Sequence, residues 1–161
     1  MKLASFHWAK DFFDLCFFKI RRKSDLEIGN VLYSLLTNLV SEKQIRSSAL
    51  NRTDLFQIVT EKLEENSNEC QSNLLGLLIN LSSEPSDVFE KYHSKLTEII
   101  LKNLKNSIHH HRVLTLLGNI LMNYSSIVSY LIEQQTIPWI RQVMAEVESS
   151  ISWISLKQGL F

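Results

Sequence analysis

Glycine and proline are scarce, four and two among 161 residues, which is too little turn chemistry for a protein of many short strands. Cys16 and Cys70 stand alone without CxxC spacing, which excludes a disulfide framework or a zinc ribbon and leaves two small buried or half-buried thiols. Charge of one sign is missing as well: seventeen basic residues balance seventeen acidic ones, so no overall field draws in nucleic acid or an anionic membrane. Residues 1–50 carry eight basic against five acidic residues and residues 51–110 six against nine, a bias mild enough to read as scattered solvated charge. No apolar run approaches the roughly 20 residues of a membrane span. The opening MKLASFHWAKDFFDLCFF is interrupted by Lys10, Asp11 and Asp14 and lacks a small-residue cleavage site, so it does not read as a secretory signal. These absences predict a cytoplasmic protein. The sequons at Asn51, Asn80 and Asn123 then have no role, because glycosylation needs the secretory route.

Catalytic signatures are missing too. There is no glycine-rich phosphate loop, GxSxG, HExxH or spaced carboxylate pair, so no catalytic residue, enzyme activity or cofactor is expected. The run His109-His110-His111 invites a metal reading, but neighbours on a helix point about 100° apart and cannot converge on one ion as an i, i+4 pair does. A polar helix start, or a loop before Val113, is predicted, and no metal site. Glu61, Glu64, Glu65 and Glu69 follow the polar side of a helix and its exit, as a solvated face does.

What is present is helical. Hydrophobic residues make up 45% and charged residues 21% of the chain, a globular composition. LYSLLTNLV (32–40), LLGLLINLS (74–82) and LGNILMNYS (117–125) align so that Asn38, Asn80 and Asn123 coincide at spacings of 42 and 43 residues. Leucine-type residues flank each asparagine on most sides, which predicts helices buried on more than one face, in the middle of a stack. Between them, 53–66, 93–107 and 137–148 place apolar residues at helical spacing, the first after a Thr/Asp start and the last with Pro138 in its first turn. Shorter helical pieces, 86–94 and 125–135, precede two of these. The predicted unit is a short helix, an amphipathic helix and a mostly buried helix.

A triple-helix unit of this length resembles the armadillo repeat, on the strength of the TNLV, INLS and MNYS endings and of SYLIEQQTIPWI, which is similar to an armadillo junction entering a new repeat. The resemblance covers about residues 25–148. It implies an all-α, right-handed superhelix, a solenoid of about three repeats plus a partial fourth. Residues 1–24 form an aromatic helix ahead of, or inside, the first repeat. Residues 149–161 form an atypical tail. The segment 8–23 is apolar around nearly its whole circumference, which suits packing into the first repeat better than contact with a partner or membrane.

Stepping back by four from each aligned asparagine gives Asn30/Ser34/Asn38, Ser72/Gly76/Asn80 and Thr115/Asn119/Asn123, a narrow polar or small stripe on each buried helix. In a solenoid these stripes line the inner curve. Their amides can bond neighbouring helix backbone or water, or they can match the alternating N–H and C=O of an extended peptide. Armadillo proteins of the importin and catenin type use the corresponding asparagines on peptide backbone, and the resemblance implies a partner-binding set of Ser34, Asn38, Asn73, Asn80, Asn119 and Asn123. Ser34, Gly76 and Asn119 stand where importin-like repeats carry tryptophan, so pockets for long basic side chains are not expected. The expected function is a non-catalytic scaffold or adaptor for a protein or extended peptide. The alternative is a structural or regulatory piece of a larger co-chaperone or assembly factor that docks onto other helical repeats or self-associates.

Overall fold

A computed structural model describes residues 2–21, 26–65, 68–105, 109–134, 136–138, 140–142, 144 and 145. Among these, every regular element is helical. The first, α1 (Lys2–Arg21), buries Phe13, Cys16, Phe17 and Ile20. That i, i+3, i+4, i+7 stripe turns one face of the helix inward. It packs on α2 (Leu26–Leu39) and α3 (Lys43–Leu50). Burial is one-sided rather than all round: Trp8 is 66% exposed, with Phe12 stacked on it at 5.3 Å, and Leu15 and Phe18 also face solvent. Packing into the first unit uses only half of this aromatic segment.

The predicted order of helices recurs. Short α3, amphipathic α4 (Thr53–Glu64) and apolar α5 (Asn68–Leu81) are followed by short α6 (Asp87–Lys91), α7 (His93–Lys105) and α8 (His110–Asn123), and α9 (Ser125–Glu133) starts the order again. Residues 137, 138, 140–142, 144 and 145 are helical, and the tail at 149–161 lies outside the described residues. Helix α5 packs on α2 at one side and on α8 at the other, while α4 packs on α7. The long helices thus lie in two rows. Leu74, Leu75, Leu77, Leu78 and Leu81 of α5 are almost wholly buried, each contributing about 1.5–3 kcal/mol relative to exposure. The expectation that all three aligned helices are buried on several faces holds for α5 alone. On α2, Ile28 and Val31 are exposed, and on α8, Leu121 and Met122 are exposed, because among the described residues each of these helices has one neighbour in this row instead of two.

Between the rows runs an aromatic chain. Phe56 of α4 meets Phe89 of α6 edge-on at 4.7 Å, and Phe89 stacks on Tyr124 at 5.5 Å. Tyr124 lies at the break where α9 turns 117° from α8. Its hydroxyl accepts from the Ser86 amide at 2.9 Å and donates to the Glu84 carbonyl at 3.1 Å. The glycine-free Glu84-Pro85-Ser86 turn is therefore held by a side chain from the next unit. Ser86 then caps α6 by accepting from Val88 N–H.

Candidate functional site

The aligned asparagines sit on α2, α5 and α8, and the structure gives those on α5 and α8 a definite job. At the end of α2 the chain tightens, so that Ser41 N–H bonds Asn38 O instead of reaching Thr37 O. Thr37 O is one of the orphan carbonyls of a helix C-terminus. The Asn80 amide donates to it at 2.8 Å from α5. The next interface repeats the device: Asn119 Nδ2 donates to Ile79 O at 3.0 Å and to Ser82 Oγ at 3.1 Å, and Asn123 Nδ2 donates to Ser82 O at 2.9 Å. Each asparagine closes the C-terminal end of the helix before it. An interior asparagine on an otherwise apolar helix is thereby explained, because a leucine at that height would leave the facing carbonyl unpaired in a packed interface.

Asn73, one residue after the start of the stripe, donates to Asn30 Oδ1 at 2.6 Å, and its own carbonyl accepts from Thr37 Oγ1 at 3.0 Å. At the start of α5, Asn73 and not Ser72 thus bonds to α2. At the head of the row, Asn38 is exposed and its side chain makes no hydrogen bond among the described residues; Ser34 is half-buried and likewise unpartnered. The hydrogen bonds of Asn73, Asn80, Asn119 and Asn123 side chains all use Nδ2. Their Oδ1 acceptors take no donor from the described residues.

Several functional groups lie outside the predicted set. Arg46 donates to the carbonyls of Val40 and Ser41 at 3.1 and 3.0 Å and pairs with Glu84 at 2.8 Å, tying the end of α2 to the turn after α5. That hydrogen bond holds the Glu84 carboxyl below its usual range. Gln71 donates to Asn103 Oδ1 at 2.6 Å inside the core, and Asn103 donates to Ile99 O. Burial pushes the phenols of Tyr33 and Tyr124 up to about 12 and raises the Cys16 thiol. Neither cysteine is in a disulfide, and both are buried.

His109 precedes α8 and His110 begins it, with His110 Nε2 2.9 Å from Leu104 O. Burial lowers the His109 pKa, and the nearby Arg112 charge lowers it further. Among the described residues no cluster of three potential ligands could hold a metal ion, and no single helix is long and apolar enough to cross a membrane. A shallow hollow of about 370 Å³ lies between α3 and the 84–88 turn, lined by Ser47, Asn51 and Pro85 among others. It includes none of Asn38, Asn73, Asn80, Asn119 and Asn123. No family model, curated protein or solved structure matches this chain.

Proposed function

We propose that the chain is a right-handed α-solenoid of armadillo type that acts without chemistry of its own, as a cytoplasmic scaffold holding an extended peptide or protein segment along the face of α2, α5 and α8. The observation that carries this reading is the row of amides on adjacent helices. Asn80, Asn119 and Asn123 have donors fixed by the neighbouring helix, so their Oδ1 atoms are held in place, and Asn38 supplies a whole uncommitted amide at the head of the row. Preorganised acceptors of this kind suit the N–H groups of an extended strand. The solenoid reading is supported by the recurrence of the short, amphipathic and apolar helices and by inter-helix hydrogen bonds that join residues 40 to 43 apart.

The test separates binding from folding. Asn38→Ala removes no hydrogen bond among the described residues, so it should leave the melting temperature unchanged while weakening capture of peptides selected from a displayed random library on the wild-type chain. Equal capture by the variant removes Asn38 from the binding set, and failure to select any peptide sinks the proposal.

A second reading, docking onto other helical repeats, is favoured by the apolar residues exposed at the two sides of the row: Leu15, Phe18, Ile28 and Val31 at one, Leu121, Met122 and Ile132 at the other. It predicts association that grows with concentration in sedimentation velocity and that Val31→Glu reduces.

A further inference from the structure

Gly76 is buried in the middle of α5, yet by its angular position it lies with Ser72 on the side of the helix between the edges that meet α2 and α8. A Cβ built on it would stand 2.9 Å from Arg112 Nη1 and 3.3 Å from Thr37 Cγ2. The Arg112 side chain therefore crosses from α8 over α5 toward α2, and its guanidinium is what covers the glycine. A glycine inside a helix is unfavourable by about 1 kcal/mol relative to alanine. Here the missing side chain leaves the room that Arg112 Nη1 occupies.

Arg112 makes no hydrogen bond or ion pair among the described residues. By sequence, the charged residues of α2, α5 and α8 are Glu27, Glu69 and Arg112, and both glutamates belong to the first turns of their helices. Among the described residues, the row from Asn38 to Asn123 thus presents neutral amides and hydroxyls around one uncommitted cation at its centre. A guanidinium offers five donors in a planar fork that matches a carboxylate bidentately, and Arg112 is exposed and available to engage one.

We propose that Arg112 is the charge-reading position of this face: a segment laid along the row places one Asp or Glu side chain on the guanidinium above Gly76. The proposal rests on the peptide-binding reading and adds its specificity. Backbone N–H groups engage the asparagine oxygens on either side, and the acidic side chain sets the register. A basic segment is repelled at the same point.

The test pans a phage-displayed random nonapeptide library against the whole chain, and against Arg112→Gln and Arg112→Glu. The wild-type chain should enrich peptides with an acid at one fixed position, Arg112→Gln should lose that preference, and Arg112→Glu should select Lys or Arg there. In fluorescence anisotropy, changing the selected acid to its amide should weaken binding about 10-fold, since a hydrogen bond to a charged group is of that order. The loss should shrink at high salt. As Arg112 has no bond in the described structure, both variants should keep wild-type helicity by circular dichroism. Gly76→Ala, which displaces the guanidinium but keeps its charge, serves as a further variant and should also weaken acidic peptides. Enrichment of neutral peptides, unchanged by the Arg112 variants, overturns the carboxylate assignment and leaves peptide binding standing. No enrichment on any form overturns both.

Discussion

Asn80 and Asn38 occupy equivalent positions 42 residues apart, and their environments give them opposite mutational signatures. Asn80 satisfies Thr37 O, so Asn80→Ala leaves a carbonyl unpaired at the α2–α5 interface and should destabilise by about 1–3 kcal/mol. Chemical denaturation of the two alanine variants checks this, and equal stabilities would show that water replaces the Asn80 amide at no cost. The Gln71–Asn103 pair is deeper, with both residues within the core. Asn103→Leu strands the Gln71 amide and should cost at least as much as Asn80→Ala. Reading the sequence reached the asparagines through their spacing alone. It did not reach Asn103 or Arg112, because nothing local distinguishes them: Asn103 lies in a polar-looking stretch of α7, and Arg112 follows three histidines that attract a metal reading first. Their partners, Gln71 and Gly76, are more than 30 residues away, a relation that only packing creates.

Among the elements, α5 carries the fold. Leu77 is wholly buried, and Leu77→Ala should destabilise by about 2–5 kcal/mol, as a cavity forms where α5 cannot collapse onto its neighbours. Hydrogen exchange should be slowest in α5 and faster in α2 and α8, which have one such neighbour each. The long helices were readable because apolar residues recur at helical spacing over three or more turns. Helix α3 was not. KQIRSSAL buries only Ile45, Ala49 and Leu50, and its N-cap Glu42 makes no side-chain capping bond. It is held instead by α5, α1 and the Arg46 contacts, so tertiary packing overrides a weak local signal. The burial of α2 was overestimated for the complementary reason: composition shows how apolar a helix is, and not how many neighbours it has.

For the molecule as a whole, the two tyrosines set an alkaline limit. The phenols of Tyr33 and Tyr124 are raised to about 12 from an ordinary value near 10. A raised folded-state pKa means that the neutral phenol is the one the fold accepts, so this contribution is complete below the unfolded value and is lost as pH climbs through the folded one. Unfolding should therefore set in between pH 10 and 12. Absorbance near 295 nm should show two of the four tyrosines ionising together with loss of the circular-dichroism signal. Tyr124→Phe removes one of these phenols and both bonds to the 84–86 turn. It should lower overall stability by about 1–3 kcal/mol. Two phenols titrating normally in a chain that stays folded would contradict their burial.

The contacts of Asn80, Asn119 and Asn123 all run in one sense, from a later helix to the tail of an earlier one. Damage to these C-terminal locks therefore travels backwards: loosening α8 strips the lock from the end of α5, which in turn loosens its hold on the end of α2, whereas loosening α2 removes no C-terminal lock from α5 or α8. A ligand that clamps the α8 side would firm up everything upstream, so pulling the chain from that side should release the helices in sequence, last first.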